Sequence, residues 1–343
     1  MPGIEDKPKI AGAICAPLAN QPAGSSDNLP ILNQPRQPTN LQGLLRFAME
    51  ATKSEDAPAG ESEFMPMDEE RKRWLENAIK SMTVDVIQLL RKQIEILQNI
   101  DKCEAEQDNP EYERAIEVIL EHVDNIDIAC DFHKIGGFMV LHPCLKSKNS
   151  KIRAGGCELL AELCQNNPYC QEIVLANEFV PKLIDIIEKD DLNQVIIKAL
   201  YALSAIVRNS SEGFSQFIQY NGPSIILGSL KRDCEKIITK STFLLTNLCQ
   251  SQPDFRGRLV FLECIPTLIG LISNERRPSH EHVLSLLATL VEENATALSE
   301  CRNPAYNLQQ VLQKYIKECG NRDECLEEIQ HCRRILYLVF GLN

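Results

Sequence analysis

A block of ten residues recurs along this chain at a nearly constant interval, and that interval limits the fold more than any other feature. GGFMVLHPCL begins at Gly136, EFVPKLIDII at Glu178, NGPSIILGSL at Asn221 and ECIPTLIGLI at Glu263, so successive starts lie 42, 43 and 42 residues apart. A weaker copy, NPAYNLQQVL, begins 40 residues further on, at Asn303. A second block recurs in register: AIEVILEHV from Ala115, GGCELLAELC from Gly155, KALYALSAIV from Lys198, KSTFLLTNLC from Lys240 and HVLSLLATLV from His282. A third element, QEIVLANE, FSQFIQYN or GRLVFLEC, precedes three of the short blocks. Apolar residues in all of them follow helical spacing, with no alternating pattern of a strand.

Three helices in about 42 residues match the armadillo repeat and not the 33–34-residue ankyrin and tetratricopeptide units; HEAT repeats are the nearest alternative. One such unit cannot bury its apolar stripe alone, so neighbours stack and share a continuous core. The sequence therefore predicts an all-α armadillo-repeat solenoid, a right-handed superhelix of three-helix repeats over residues 110–318. Helices over 67–109 would cap its N-terminal end, and a helix over 319–343, with Leu326, Ile329, Ile335 and Leu338, its C-terminal end. Residues 1–66 read as a flexible N-terminal region, since nine of the 18 prolines fall there. Within it, residues 39–51 (TNLQGLLRFAMEA) place Leu41, Leu44, Leu45 and Phe47 between two polar stretches. That segment is either a helix docked on the core or a peptide that binds a partner.

Composition removes several function classes. The chain has 343 residues, a net charge of −12, 44% hydrophobic and 6% aromatic residues. An acidic balance disfavours sequence-independent nucleic-acid binding, which needs clustered cations, and no apolar run is long enough to span a membrane. The apolar stretch 10–19 follows Glu5 and Asp6 and contains Pro17, so a signal peptide is the weaker reading. The 14 cysteines form no C-x-x-C pair and many sit at apolar helical positions. Free thiols in a reducing compartment are expected, hence a cytoplasmic protein with the nucleus as a second location.

In an armadillo stack the third helix of each repeat lines a concave groove. Groove positions spaced 3, 4 and 3 would include Gly155, Glu158 and Glu162, then Lys198, Tyr201, Ala205 and Arg208, then Lys240, Phe243, Asn247 and Gln250, then His282, Ser285 and Thr289. The Trp-x-x-x-Asn ladder of import receptors is absent, and Asn247 alone stands at its Asn position. Lys198, Arg208 and Lys240 beside Tyr201 and Phe243 suggest a basic, aromatic strip that meets an acidic protein surface. The competing reading is that both aromatics are core and the cations merely solvated. No phosphate-binding, nucleophile-elbow or zinc-protease motif occurs, and no catalytic residue, cofactor or metal is expected. His280 and His282, two apart on a helix, point away from one another; His280 and Glu281 either start that helix or touch a partner.

NLQGLLRFAM from Asn40, MDEERKRWLENAI from Met67, KALYALSAIVR from Lys198, KSTFLLTNL from Lys240 and HEHVLSLLATLV from His280 resemble the heat-shock-chaperone binding protein family, the Fes1-like armadillo nucleotide exchange factors. The resemblance covers residues 40–318. It implies a monomeric co-chaperone that clasps lobe II of the nucleotide-binding domain of the seventy-kilodalton chaperone, so that ADP leaves and client is released. Taken with the groove positions above, the chaperone contact is expected at Lys198, Tyr201, Arg208, Lys240, Phe243, Asn247, His280, Glu281 and His282. It also assigns a client-mimic role, at the chaperone's peptide site, to Leu41, Leu44, Leu45 and Phe47. The alternative is a general armadillo scaffold or adaptor for another protein.

Overall fold

A computed structural model describes residues 69–70, 72–73, 85–100, 110–320 and 322–342. Among them there are helices and no strand, and no helix is long and apolar enough to cross a membrane. The segment carrying Leu41, Leu44, Leu45 and Phe47 lies outside the described residues.

Helix α1 (Val86–Leu97) starts on Asp85, whose carboxylate accepts the Gln88 N–H at 3.0 Å, and buries Leu90, Ile94 and Leu97. Helix α2 (Pro110–Val123) opens on a proline with Glu111 and Glu113 in its first turn, both favourable at a helix start. Five triplets follow. The first is α3 (Ile126–Lys134), a 3-10 turn (Gly137–Val140) leading into α4 (Leu141–Lys146), and α5 (Ser150–Cys164). The second is α6 (Pro168–Ala176), α7 (Phe179–Lys189) and α8 (Asn193–Val207). The third is α9 (Ser211–Gln219), α10 (Gly222–Ser229) and α11 (Glu235–Ser251). The fourth is α12 (Phe255–Phe261), α13 (Cys264–Ile272) and α14 (His280–Val291), and the fifth is α15 (Ala295–Cys301), α16 (Leu308–Cys319) and α17 (Leu326–Phe340).

The turn between the first and second helix of every triplet hinges on one left-handed residue. These are Gly136 (φ 88°), Glu178 (φ 55°), Asn221 (φ 59°), Glu263 (φ 58°) and Asn307 (φ 47°). The first four open the ten-residue block at each of its strong copies. The fifth corrects the register of the weak copy: its equivalent start is Asn307 and not Asn303, because a 3-10 turn (Pro304–Tyr306) is inserted ahead of α16. α17, expected as a separate cap, stacks on α14 as α14 stacks on α11 and so completes the fifth triplet.

One apolar core runs through the stack. Volume is exchanged between two positions five residues apart on either side of the hinge. Phe132 faces Gly137 and Phe217 faces Gly222, where an added Cβ would lie 2.4 and 2.1 Å from the ring. The second and fourth triplets use Val174 with Phe179 and Leu259 with Cys264 at the same positions, all four buried. All cysteines among the described residues are free thiols, and ten of them are buried at 0 or 1% exposure within the apolar core.

Candidate partner-binding surface

The third helices α2, α5, α8, α11, α14 and α17 pack side by side in chain order. Their inward residues repeat every 42 positions: Ile196, Ile238 and His280 are all buried. Two residues beyond each stand Lys198, Lys240 and His282, half-buried on one shared face. The fifth copy is offset by 48, because Glu328, Cys332, Ile335 and Val339 are buried as His280, Leu284, Leu287 and Val291 are. That register puts Gln330, Arg333 and Tyr337 on the face of His282, Ser285 and Thr289. Tyr337 is 61% exposed.

The central part of the face is a connected set of contacts. Lys198 Nζ pairs with Glu158 Oε1 at 2.5 Å. The Tyr201 hydroxyl donates to Glu162 Oε1 at 2.9 Å; burial, then that carboxylate, pushes its pKa up to about 12. Lys240 Nζ stands 5.0 Å above the Tyr201 ring, and Arg208 Cζ stands 5.7 Å from the Phe243 ring. The Phe243 ring meets His282 edge-on at 6.3 Å. Asn247 turns back to donate to the Phe243 carbonyl at 2.8 Å. Each cation–ring contact contributes about 0.5–1 kcal/mol, and the half-exposed Lys198–Glu158 pair at most about 1.

The two aromatics are therefore not core. Phe243 is 44% exposed, and the half-buried Tyr201 carries a cation on its face. The strip, however, is not uniformly basic. Glu158 and Glu162 neutralise its α5 edge, which leaves Arg208 and Lys240 as cations with a ring beneath them and no carboxylate in contact among the described residues. Burial lowers the Lys240 pKa, and the neighbouring Lys198 and Lys236 lower it further. A carboxylate brought to this ammonium would relieve both effects.

One expected contact residue does not reach the face. His280 is 2% exposed and tilts its ring against Tyr315 at 5.8 Å, inside the stack. The repeat register carries the reason: it stands 42 residues after Ile238 and 84 after Ile196, at a core position. Burial lowers its pKa. Glu281 is half-buried beside Glu327, and burial raises its carboxyl pKa. Ala205 and Thr289 are also buried. Arg333 and Tyr337 escaped the sequence reading because the fifth copy is out of register. No His, Cys and carboxylate group on this face is compact enough to hold a metal among the described residues. Exposed rings, unpaired cations and a carboxylate edge suit recognition of another protein.

Comparison with known proteins fits this architecture. A profile described as the Fes1 nucleotide exchange factor matches residues 41–132, and one described as the SIL1/FES1/HPBP1 C-terminal domain matches residues 128–256. Hsp70-binding protein 1 of Mus musculus is 30% identical over 353 residues, covering 97% of each chain. The Hsp70 nucleotide exchange factor FES1 of Yarrowia lipolytica is 26% identical over 172 residues, 49% of this chain and 61% of that one. A designed armadillo repeat protein superimposes with a TM-score of 0.58 at 13% identity, over 73% of this chain and 99% of its own; at that identity the likeness concerns the fold alone. With an end-to-end relative at this identity and two adjoining family profiles along one helical stack, the chain belongs to the family of Hsp70-binding protein 1 and Fes1.

Proposed function

We propose that this protein is a nucleotide exchange factor for the seventy-kilodalton heat-shock chaperone, acting as a monomer in the cytoplasm through the face of its third helices. The likeness to Hsp70-binding protein 1 along the whole chain carries this reading. The partner is the chaperone's nucleotide-binding domain, on lobe II, and the contact centres on Arg208, Lys240, Tyr201 and Phe243. No bond is made or broken by this chain. It needs only to bind the opened, ADP-free domain more tightly than the ADP-bound one; by linkage, ADP weakens the binding of this protein by the same ratio. A tenfold preference corresponds to about 1.4 kcal/mol of differential contact. Leu41, Leu44, Leu45 and Phe47 would occupy the chaperone's peptide site as a client mimic.

Release of fluorescent ADP from a cytosolic seventy-kilodalton chaperone tests this directly. Native protein accelerates release. Arg208→Glu with Lys240→Glu removes most of the acceleration while the far-ultraviolet spectrum stays helical, since neither side chain lies in the core. An ADP off-rate that does not change with native protein at saturating concentration overturns the reading.

A further inference from the structure

The core row that holds Ile196 and Ile238 ends in His280 and Glu328, so the last two triplets bury polar groups where the earlier ones bury aliphatic ones. Glu328 is 2% exposed, and both of its oxygens accept hydrogen bonds. Arg276 donates from Nε to Oε2 at 2.9 Å and from Nη2 to Oε1 at 2.8 Å, and the Tyr315 hydroxyl donates to Oε2 at 2.8 Å. Two thiols converge on the same carboxylate. Cys319 closes α16 and its Sγ lies 3.8 Å from Oε2; Cys325 ends the 3-10 turn (Asp323–Cys325) that enters α17. The two sulfurs and a Glu328 oxygen all lie within 4.8 Å of one another, and all three residues are buried.

We propose that Cys319, Cys325 and Glu328 bind a thiophilic divalent cation of the zinc class, which ties the end of α16 to the start of α17 within the fifth triplet. Three lines of chemistry support it. Zinc takes thiolates at about 2.3 Å and carboxylate oxygens at about 2.1 Å, so tetrahedral ligands stand about 3.5 Å apart; atoms already within 4.8 Å need only small side-chain rotations. Charge closes without a surplus: Arg276 offsets Glu328, and two thiolates offset the cation, as a buried site requires. Arg276 and Tyr315 orient the ligating carboxylate in the way outer partners of metal sites do. Surface clefts approach the cluster through the two residues that hold Glu328: one is lined by Arg276, Glu318 and Arg322, the other by Lys314, Tyr315 and Glu318. Water takes the fourth position. On binding, two S–H bonds break, two metal–sulfur bonds form, and two protons pass to solvent; nothing is oxidised or reduced.

Titration of reduced, metal-free, full-length protein with zinc chloride tests the assignment. Calorimetry in two buffers of different ionisation enthalpy should give one zinc per chain and about two protons released. Cobalt(II) should give a tetrahedral spectrum with a thiolate charge-transfer band, and zinc should raise the melting temperature. Cys319→Ser and Cys325→Ser should each weaken binding by about 100-fold or more, and Tyr315→Phe by about 10-fold. Cys144→Ser, in the first triplet, should leave affinity unchanged. Should the serine variants fail to fold, the cobalt spectrum and the proton count of the native chain decide the matter. Absent stoichiometric binding, binding that survives the Cys319→Ser/Cys325→Ser double change, or a Cys319–Cys325 disulfide whose reduced form ignores zinc would each overturn the site.

Discussion

Single side chains carry two of the clearest consequences. His280 occupies an aliphatic core position, and burial lowers its pKa, as it does for His142 and His331. A depressed folded value means that the unfolded chain takes up protons first, so stability is intact above about pH 6.5 and falls as pH drops below it. Thermal melts from pH 7.5 down to 5 should show that loss. His280→Ile, which restores the residue of the two preceding triplets, should flatten the slope by at most one proton, about 1.4 kcal/mol per pH unit; an unchanged slope would remove His280 from the account. Volume exchange at the hinge gives a second test. Gly222→Ala sets a Cβ 2.1 Å from Phe217 and should cost about 1–3 kcal/mol in urea denaturation. Pairing Phe217→Leu with Gly222→Cys, the combination at Leu259 and Cys264, should recover most of it. Additive losses in that double variant would mean that the two positions are uncoupled.

At the scale of helices, the stack is tied together where helix ends leave carbonyls unpaired. Gln171 of α6 donates to Cys164 O at 3.0 Å and to Ala205 O at 3.0 Å, bridging the ends of α5 and α8. Eighty-five residues on, Arg256 of α12 bridges α11 and α14 in the same way, to Cys249 O at 3.3 Å and Glu292 O at 3.0 Å. Between them Phe214 has no donor, and its ring meets Phe255 edge-on at 5.4 Å instead. Gln171→Leu keeps the volume and strands the Ala205 carbonyl, while Cys164 O keeps the Asn167 N–H at 3.3 Å, so it should cost about 2 kcal/mol. Asn294→Ala, which removes a cap accepting the Ala297 N–H at 3.0 Å, should cost about 1 kcal/mol. Calorimetric melts distinguish the two, and equal costs would mean that the bridge acts only as another cap.

For the whole molecule, the consequence of stacking is one continuous face from five non-adjacent sequence segments. Its charge is not that of the chain. A net charge of −12 coexists with Arg208 and Lys240 standing over Tyr201 and Phe243. Association through this face should therefore slow as salt rises, and Lys240→Glu should lower the association rate more than it raises the dissociation rate. Stopped-flow binding to the chaperone between 50 and 300 mM salt would read this; salt-independent rates would place the contact on other residues.

The period of about 42 residues determined the fold class, the helix order and most of the core, because a solenoid builds its core from neighbours in sequence. The same register already placed Lys198, Tyr201, Arg208, Lys240, Phe243 and Asn247 on one helix face. It also held the correction for His280, which the pattern of Ile196 and Ile238 makes a core residue. Tertiary structure alone decided the rest. Sequence does not say which groups neutralise one another across helices, and only stacking brought Glu158 to Lys198 and Glu162 to Tyr201. Extra residues before α16 and again between α16 and α17 broke the period, so only the packing of α17 on α14 brings Arg333 and Tyr337 to the face. The five-residue gap between Cys319 and Cys325 matches no familiar ligand spacing; a turn and two helix ends, not spacing along one helix, bring those sulfurs to Glu328.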